Sequence, residues 1–514
     1  MSSGAPQIVG VVGAGTMGGG IAQLAVLAGA RTLLHDPDHA ALDRGVETLR
    51  ANLAKGAERG RWSAADAEAA SARLEPTYTL EALAPAELVI EAAPERLDLK
   101  RELFARLAEI VAPDCVLASN TSSIPITAIA GAVLQPERVV GMHFFNPAPL
   151  MRLLEVVAGE DSGEAALARA RALGEAMGKV VIDAADGPGF LVNRANRPFG
   201  LEGLRCVTER LASVEQVDRI ARLGGGFRMG PFELMDLVGV DVGFTISRSF
   251  FEQSFGEPRW RPSPLAARAV AAGRHGRKTG EGWYRYPDGP PPDPEPPEPG
   301  GGDGLVVIAG ESDLAEELAG AAISAGWDVA APEEAEGEVP ELIVDCGGHA
   351  SVLQGGPQLL LCDAAPLAAQ DPGGPSAGFH LLPPFGRLVE LTASPTTAPA
   401  TLAAAERFFA TLGMASERVG DAPGLVLGRI VAQLVNEACF AVGEGVGTPA
   451  DVDAGMVLGL NHPRGPMEWG DEIGAEQVLV LLTALQEEYR EERYRPAPAL
   501  LLAARAGEPL RADD

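Results

Sequence analysis

Ile8-Val9-Gly10-Val11-Val12 runs directly into Gly13-Ala14-Gly15-Thr16-Met17-Gly18, and a helix-patterned stretch, Ile21–Leu27, follows. A second apolar run, Thr32–His35, ends at Asp36. Alone, a G-x-G-x-x-G string carries little information. Placed after a strand pattern and before a helix pattern, with an acidic residue about 20 positions on, it predicts a unit that binds a dinucleotide. Gly13 permits the tight turn, Gly15 lets the backbone approach a pyrophosphate, and Gly18 lets helix and strand pack closely. The helix N-terminus, through the backbone of Ala14, Thr16 and Met17, offers N–H groups and partial positive charge to phosphates. Asp36 can accept both ribose hydroxyls and would repel a 2′-phosphate, so NAD is expected rather than NADP.

Outward from this turn, strands and helices alternate. Apolar runs at Leu88–Ile90, Val116–Ala118, Val139–His143, Leu153–Val157 and Val180–Ile182 are separated by helical stretches such as Leu97–Val111 and Glu164–Met177. The pattern predicts a doubly wound, Rossmann-like NAD-binding domain over residues 5–185. A helical domain is expected over 186–286. Residues 287–304 (PDGPPPDPEPPEPGGGDG) read as an extended proline linker ending in flexible glycines.

Beyond the linker the chain repeats itself. A shift of 235 positions lays Asp186, Pro188, Gly189 and Arg194 on Asp421, Pro423, Gly424 and Arg429, and Gly230-Pro231 on Gly465-Pro466. With a shift of 237, Gly141-Met142-His143 meets Gly378-Phe379-His380. The expected fold class is therefore an α/β Rossmann-like domain followed by an all-α domain, the whole unit duplicated with a degenerate second copy. That copy would comprise a worn Rossmann-like segment, 305–392, about half as long as the first, and a second helical domain, 393–508. Its strand Leu305–Ala309 continues into Gly310-Glu311-Ser312-Asp313, where carboxylates replace the glycines, and Gly428 stands where the first copy has Asn193. The second copy reads as a glycine and proline framework that has lost its polar side chains.

Composition narrows the function. A net charge of −30 without a basic stripe argues against nucleic-acid binding. Five scattered cysteines (115, 206, 346, 362, 439), with no C-x-x-C, suit a reducing cytosol and argue against a metal site. Neither a basic leader nor a membrane-length apolar run is present in the sequence, so a cytoplasmic protein is expected. Of 41 basic residues only four are lysines: Lys55, Lys100, Lys179 and Lys278. In a chain so biased to arginine, they mark positions where a compact ammonium is preferred.

Oxidising an alcohol with NAD requires a base near the hydroxyl, a group that holds the base, and donors for the forming carbonyl. His143 ends one strand pattern, and Glu155 lies in the next. The turn Asn146-Pro147-Ala148-Pro149 lets the two strands pair and brings imidazole and carboxylate together. Ser119-Asn120-Thr121-Ser122-Ser123 lies at a strand's carboxyl end, where open α/β sheets bind ligands. From the residues alone, a structural histidine and a helix-capping serine cluster remain equally good readings.

Ser119–Ser123, His143-Phe144-Phe145-Asn146-Pro147, Pro188–Arg194, Gly230-Pro231-Phe232-Glu233-Leu234 and Lys278-Thr279-Gly280-Glu281-Gly282 occur in an order and spacing that resembles the 3-hydroxyacyl-CoA dehydrogenases. The resemblance is close over residues 5–286. The remainder resembles long bacterial members associated with phenylacetate degradation. It implies oxidation of an (S)-3-hydroxyacyl-CoA, of 3-hydroxybutyryl or 3-hydroxyadipyl type, with His143 as general base and Glu155 as its partner. It further implies that Ser122 and Asn193 hold substrate oxygens, and that Glu95, Lys100, Asn146 and Lys278 contact NAD beside Ser122, Gly13–Gly18 and Asp36. Lys55, with Ser122, would meet the CoA thioester. No such role falls on Lys179, which reads as a solvated helix end. In this family the helical domain makes the dimer contact, which implies an intramolecular pseudo-dimer here, with further homo-oligomers open. The alternatives are a dehydrogenase of free hydroxy acids, gulonate for example, and a non-catalytic crystallin-like NAD-binding protein.

Overall fold

The computed structural model describes residues 4–335, 337–347 and 355–511. The chain divides into two compact units that do not follow its linear order. The first comprises residues 1–194 with 444–460, and the second 195–443 with 461–514.

The first unit is built on eight strands: β1 (Ile8–Val12), β2 (Arg31–His35), β3 (Leu74–Thr77), β4 (Leu88–Glu91), β5 (Val116–Ser119), β6 (Val139–Phe144), β7 (Leu153–Ala158) and β8 (Val180–Ala185). They lie in the order β3-β2-β1-β4-β5-β6-β7-β8. All neighbours are parallel except β6 and β7. The inner strands are buried on both faces, which is why they read as continuous β-branched runs. Strand order reverses beside β1, so the turn after Val12 sits at the switch point where such sheets bind ligands. Helix α1 (Thr16–Leu27) follows that turn, and helix α2 (His39–Glu58) follows β2. A piece of the second copy completes this unit. The helix Pro449–Leu460 packs on β7 and β8, and Ala185 N donates to Val446 O at 2.8 Å.

The second unit carries seven strands: β9 (Leu305–Ala309), β10 (Asp328–Ala330), β11 (Leu342–Asp345), β12 (Gln358–Leu361), β13 (Ala377–His380), β14 (Leu388–Ala393) and β15 (Ala415–Val419). Their order is β10-β9-β11-β12-β13-β14-β15, with β13 and β14 antiparallel, as β6 and β7 are. The domain end expected at residue 392 is corrected by β15, which pairs with β14 after the helix Pro399–Thr411. The second sheet region therefore runs from 305 to about 420, nearer two thirds than half of the first. As an edge strand, Ala415-Ser416-Glu417-Arg418-Val419 is only half-buried and shows no apolar run, so the sequence pattern does not announce it. The glycines expected to be flexible at the end of the linker are tied down: Gly300 N donates to Thr411 O at 2.7 Å and Gly302 N to Ala325 O at 2.9 Å. Asp293 accepts two bonds from the Arg222 guanidinium, at 2.6 and 2.9 Å.

Each unit joins the two copies by matching contacts. In the first, Arg194 pairs with Glu444 at 2.7 Å. In the second, Arg429 pairs with Glu209 at 2.8 Å, where the helices Arg197–Thr208 and Leu427–Gly443 pack. Residues 194 and 209 plus the shift of 235 are 429 and 444, so these are the same contact made in both directions. The bond from Ala185 N to Val446 O likewise recurs as Gly420 N to Leu211 O, at 2.7 Å. Among the described residues no helix is long and apolar enough to cross a membrane, and no group of three or more His, Cys, Asp or Glu is placed to hold a metal.

Candidate active site

Antiparallel pairing sets His143 opposite Glu155, one on β6 and one on β7, with both side chains on the same face. The His143 Nδ1 to Glu155 Oε2 distance is 2.6 Å, with the imidazole 6 % exposed and the carboxylate fully buried. Oε1 accepts from Leu191 N at 3.1 Å and Val192 N at 2.9 Å. Those N–H groups are aimed by a turn in which Gly189 and Phe190 both take positive φ, +73° and +53°. A phenylalanine there is strained, and the bonds to Glu155 accompany that strain. Since a carboxylate only accepts, the proton of neutral His143 sits on Nδ1, leaving Nε2 to receive another. Phe145 and Phe190 flank the imidazole with ring centroids 4.6 and 5.8 Å away. Asn193, half-buried, follows on the same turn that holds Glu155.

Glu95 organises the Ser119–Ser123 turn. Its Oε1 accepts from Thr121 Oγ1 at 2.6 Å, Ser123 Oγ at 2.9 Å, and the backbone N–H groups of Ser122 and Ser123 at 3.1 Å. Burial alone would raise its carboxyl, but Lys100 and these donors outweigh that and hold it below the ordinary range. Lys100, also expected at the cofactor, lies behind this turn. Its ammonium is 1 % exposed and turned inward onto Glu91 at 2.6 Å and Glu95 at 3.4 Å. Lys100 thus steadies the Ser122 turn from behind. Glu95 remains about two-fifths exposed.

The glycine turn has the shape its sequence requires. Gly13 has φ +104°, and a Cβ there would lie 2.6 Å from Ala92 O; one at Gly18 would strike the Gly13 carbonyl. Beside Gly15 the space is open, with no atom within 4 Å of a would-be Cβ, and no side chain caps the start of α1. Ala14 N donates to Asp36 Oδ2 at 2.8 Å, which fixes that carboxylate at the lip of the turn. An open cradle at an uncapped helix N-terminus fits the pyrophosphate of a dinucleotide, and Asp36 fits its ribose.

A cavity of about 630 Å³ extends from Gly15 and Thr16 along α2. Lys55 lines it, together with Arg44, Thr48, Asn52, Arg59, Arg61 and Trp62. The scarcity of lysine points to Lys55 but not to these arginines, although Arg44, Thr48, Asn52, Lys55 and Arg59 recur at the three- and four-residue spacing of one helix face. The wall opposite includes Pro147, Pro149 and Leu150, from the turn that presents the exposed Asn146.

Lys179 holds that turn. Expected at a solvated helix end, it is 9 % exposed and donates to Ala148 O and Met151 O, both at 2.6 Å. Burial pushes its ammonium down to about 8. In the second unit Lys278 is half-exposed and pairs with Asp241 at 2.6 Å.

The second sheet retains more polar chemistry than its sequence suggested. His380 faces Glu390 in the same antiparallel register, and Glu390 accepts from Val426 N and Leu427 N at 2.7 and 3.0 Å. The turn before them again has positive φ, at Gly424 and Leu425. But the His380 to Glu390 distance is 4.0 Å. A Cβ at Gly428 would lie 2.5 Å from His380 Cε1, so the ring occupies the space where the counterpart of Asn193 would stand.

With this geometry the comparisons agree. The family model "3-hydroxyacyl-CoA dehydrogenase, NAD binding domain" matches residues 8–187. Its companion, "3-hydroxyacyl-CoA dehydrogenase, C-terminal domain", matches 189–286 and 424–513, the second segment starting 235 residues after the first. A 3-hydroxyadipyl-CoA dehydrogenase of Escherichia coli K12 is 36 % identical over 96 % of both chains. A probable 3-hydroxybutyryl-CoA dehydrogenase of Deinococcus radiodurans is 42 % identical, covering 54 % of this chain and 99 % of its own. Among solved structures, a 3-hydroxybutyryl-CoA dehydrogenase from Escherichia coli K12 superposes over 98 % of both chains with a TM-score of 0.84 at 34 % identity. The chain belongs to the 3-hydroxyacyl-CoA dehydrogenase family, in a long form whose C-terminal segment is duplicated.

Proposed function

We propose that the first copy oxidises an (S)-3-hydroxyacyl-CoA to the 3-oxoacyl-CoA, with His143 as general base, and that the second copy serves as its permanent partner. The observation that carries the reading is the 2.6 Å pair of His143 and Glu155, with the carboxylate held by two backbone N–H groups. Bound NAD would accept the hydride from C3. His143 Nε2 takes the 3-hydroxyl proton. Glu155 fixes the ring's tautomer and stabilises the imidazolium. Ser122, on the turn held by Glu95, and Asn193 direct polar groups to the oxygens beside the reacting carbon. Asp36 selects NAD over NADP.

The cationic face of α2 supports a CoA thioester over a free hydroxy acid: Arg44, Lys55, Arg59 and Arg61 line one cavity and suit clustered phosphates. The Escherichia coli relatives carry the names 3-hydroxyadipyl-CoA and 3-hydroxybutyryl-CoA dehydrogenase, and either acyl group fits this reading. The reciprocal pairs Arg194–Glu444 and Arg429–Glu209 support an internal pseudo-dimer, because a two-fold interface makes every contact twice. A cytoplasmic location completes the proposal.

The test is an NADH-formation assay across 3-hydroxyacyl-CoA thioesters of different length and terminal charge, beside the matched free acids. Thioesters should be turned over and free acids should not. In the double variant Lys55→Ala/Arg59→Ala the KM for the thioester should rise about 10-fold or more, with kcat little changed, as for loss of uniform binding. Equal use of free acids would replace this reading with the hydroxy-acid one.

A further inference from the structure

The helix Pro449–Leu460 belongs by sequence to the copy that lacks a glycine turn, yet it packs in the first unit against the strand that carries Glu155. Three glycines in and beside it make close approaches. A Cβ on Gly455 would lie 2.6 Å from Val192 Cγ2, and one on Gly447 would lie 2.5 Å from Leu191 Cδ2. One on Gly459 would lie 2.7 Å from Leu153 Cδ2 and 3.3 Å from the Phe145 ring. Each of these neighbours bears on the dyad. Leu191 and Val192 supply the N–H groups that hold Glu155, Leu153 lies two residues before Glu155 on β7, and Phe145 flanks the imidazole.

At the matching positions the second unit is looser. The counterparts of Gly455 and Gly459 are Ile220 and Gly224, and a Cβ on Gly224 would lie 3.3 Å from Leu427 Cδ2 and 3.5 Å from Leu388 O. Leu427 and Leu388 correspond to Val192 and, with the same shift, Leu153. The second unit makes its own close approach one residue on, where a Cβ on Gly225 would lie 2.9 Å from Leu427 Cδ1, but glycine at both of these helical positions occurs on the side that retains the close histidine–glutamate pair.

We propose that Gly447, Gly455 and Gly459 are positioning residues for the catalytic dyad. Their missing side chains let the second copy press directly on Leu191, Val192, Leu153 and Phe145, and so fix where Glu155 and His143 stand. The inference rests on the reading of His143 as the general base. It also gives the second copy a part in catalysis at a distance: without its helix, the turn that holds Glu155 has no backing. Close packing transmits such a constraint because a well-packed contact cannot yield without moving its neighbours, and small displacements of a catalytic group are costly in rate.

The test uses the full chain with saturating NAD and 3-hydroxybutyryl-CoA, and thermal melting as a check of folding. Gly455→Ala and Gly459→Ala should each lower kcat about 10-fold, with the KM for NAD within about 2-fold of the parent. Adding Val192→Ala to Gly455→Ala removes the atom that the new methyl meets, and kcat should recover to within about 3-fold of the parent. Should Gly455→Ala fail to fold, Val192→Ala alone loosens the same contact without a clash and should lower kcat about 3-fold. Unchanged kcat in the folded variants, or a loss that Val192→Ala leaves unrestored, would overturn the proposal. A chain that oxidises no 3-hydroxyacyl thioester would instead remove the base assignment beneath it. An active chain indifferent to these substitutions would remove the positioning role alone.

Discussion

His143–Glu155 and His380–Glu390 occupy the same place in two sheets of one chain, and they differ where chemistry demands it. Both histidines end a strand that turns back antiparallel, and both glutamates are buried and accept from two successive backbone N–H groups. Both turns before those N–H groups adopt left-handed backbone at a glycine and the residue after it. What the second pair has lost is the bond itself, 4.0 Å against 2.6 Å, and the neighbours that would use it. Gly428 replaces Asn193, and Ser312, ahead of Asp313, caps the helix that follows β9 with its own hydroxyl, where the first copy leaves that helix end open. The backbone hold on a buried carboxyl group is thus common to both sheets, and the close ring–carboxyl contact belongs to the first.

The largest effect should separate the two histidines. His143→Gln removes the base and should lower kcat by about 10²–10⁴-fold, with NAD affinity within a few fold of the parent. His380→Gln should leave kcat within about 2-fold. Steady-state kinetics on both variants checks this, and equal losses would mean that the second pair is also a working site.

Next in size is the contact that binds the copies in the second unit. Arg429 is fully buried and bonds Glu202 at 2.7 Å, Glu209 at 2.8 Å and the hydroxyls of Tyr489 and Tyr494. Glu202 is buried, which alone would raise it, but Arg429 and Arg205 hold its carboxyl down at about 2. Arg429→Met removes one of the two guanidinium groups paired with that buried charge, leaving Arg205 at 2.9 Å, and should cost about 3–5 kcal/mol in denaturant unfolding. A loss below about 1 kcal/mol would show the pairing to be incidental.

Much of this comparison was legible in the sequence, and the failures have physical causes. The glycine turn and the alternating apolar runs specify the first sheet because buried parallel strands must be apolar throughout. The strand β15 escaped notice because an edge strand need not be, and the domain end was set too early. Glu390 was overlooked because His380 and Glu390 are 10 residues apart where His143 and Glu155 are 12, so the constant shift breaks inside this hairpin. Lys179 looks solvated in the sequence because nothing local marks a lysine whose partners are two backbone carbonyls 28 and 31 residues away. The assignment of residues 444–460 to the first unit was not readable at all, since it depends on contacts between residues 250 positions apart and more.

The two helix starts offer a third contrast. The turn at Gly13–Gly18 leaves an open cradle with Asp36 at its lip, whereas Glu311 and Asp313 line the matching opening in the second unit. Titration calorimetry should find one NAD per chain. The preference for NAD over NADP in kcat/KM should be at least about 10², and Asp36→Ala should narrow it. A second NAD site, or equal use of both cofactors, would contradict the contrast.

The smallest effect tests whether the second pair is charged. Burial pushes His380 down to about 4, and it pushes Glu390 up to about 8 against the pull of the Val426 and Leu427 N–H groups. Both are then neutral near pH 6, unlike an ion pair. For Glu390 the folded value lies above the ordinary carboxylate value near 4.5, so the folded state binds more protons between about pH 4.5 and 8. Its contribution to stability is complete below that window and is lost as pH rises through it. For His380 the folded value lies below 6.5, so its contribution is present above that pH and is lost as pH falls through 4. Melting temperatures of the parent, Glu390→Gln and His380→Gln across pH 4–8 make the signs visible, because other titrations cancel in each difference. Relative to the parent, Glu390→Gln should gain as pH rises from 5 to 8, and His380→Gln should gain as pH falls from 6.5 to 4. Differences that stay flat across the range would mean that burial shifts neither group. Flat differences would therefore leave no ground for reading the second pair as a buried neutral couple.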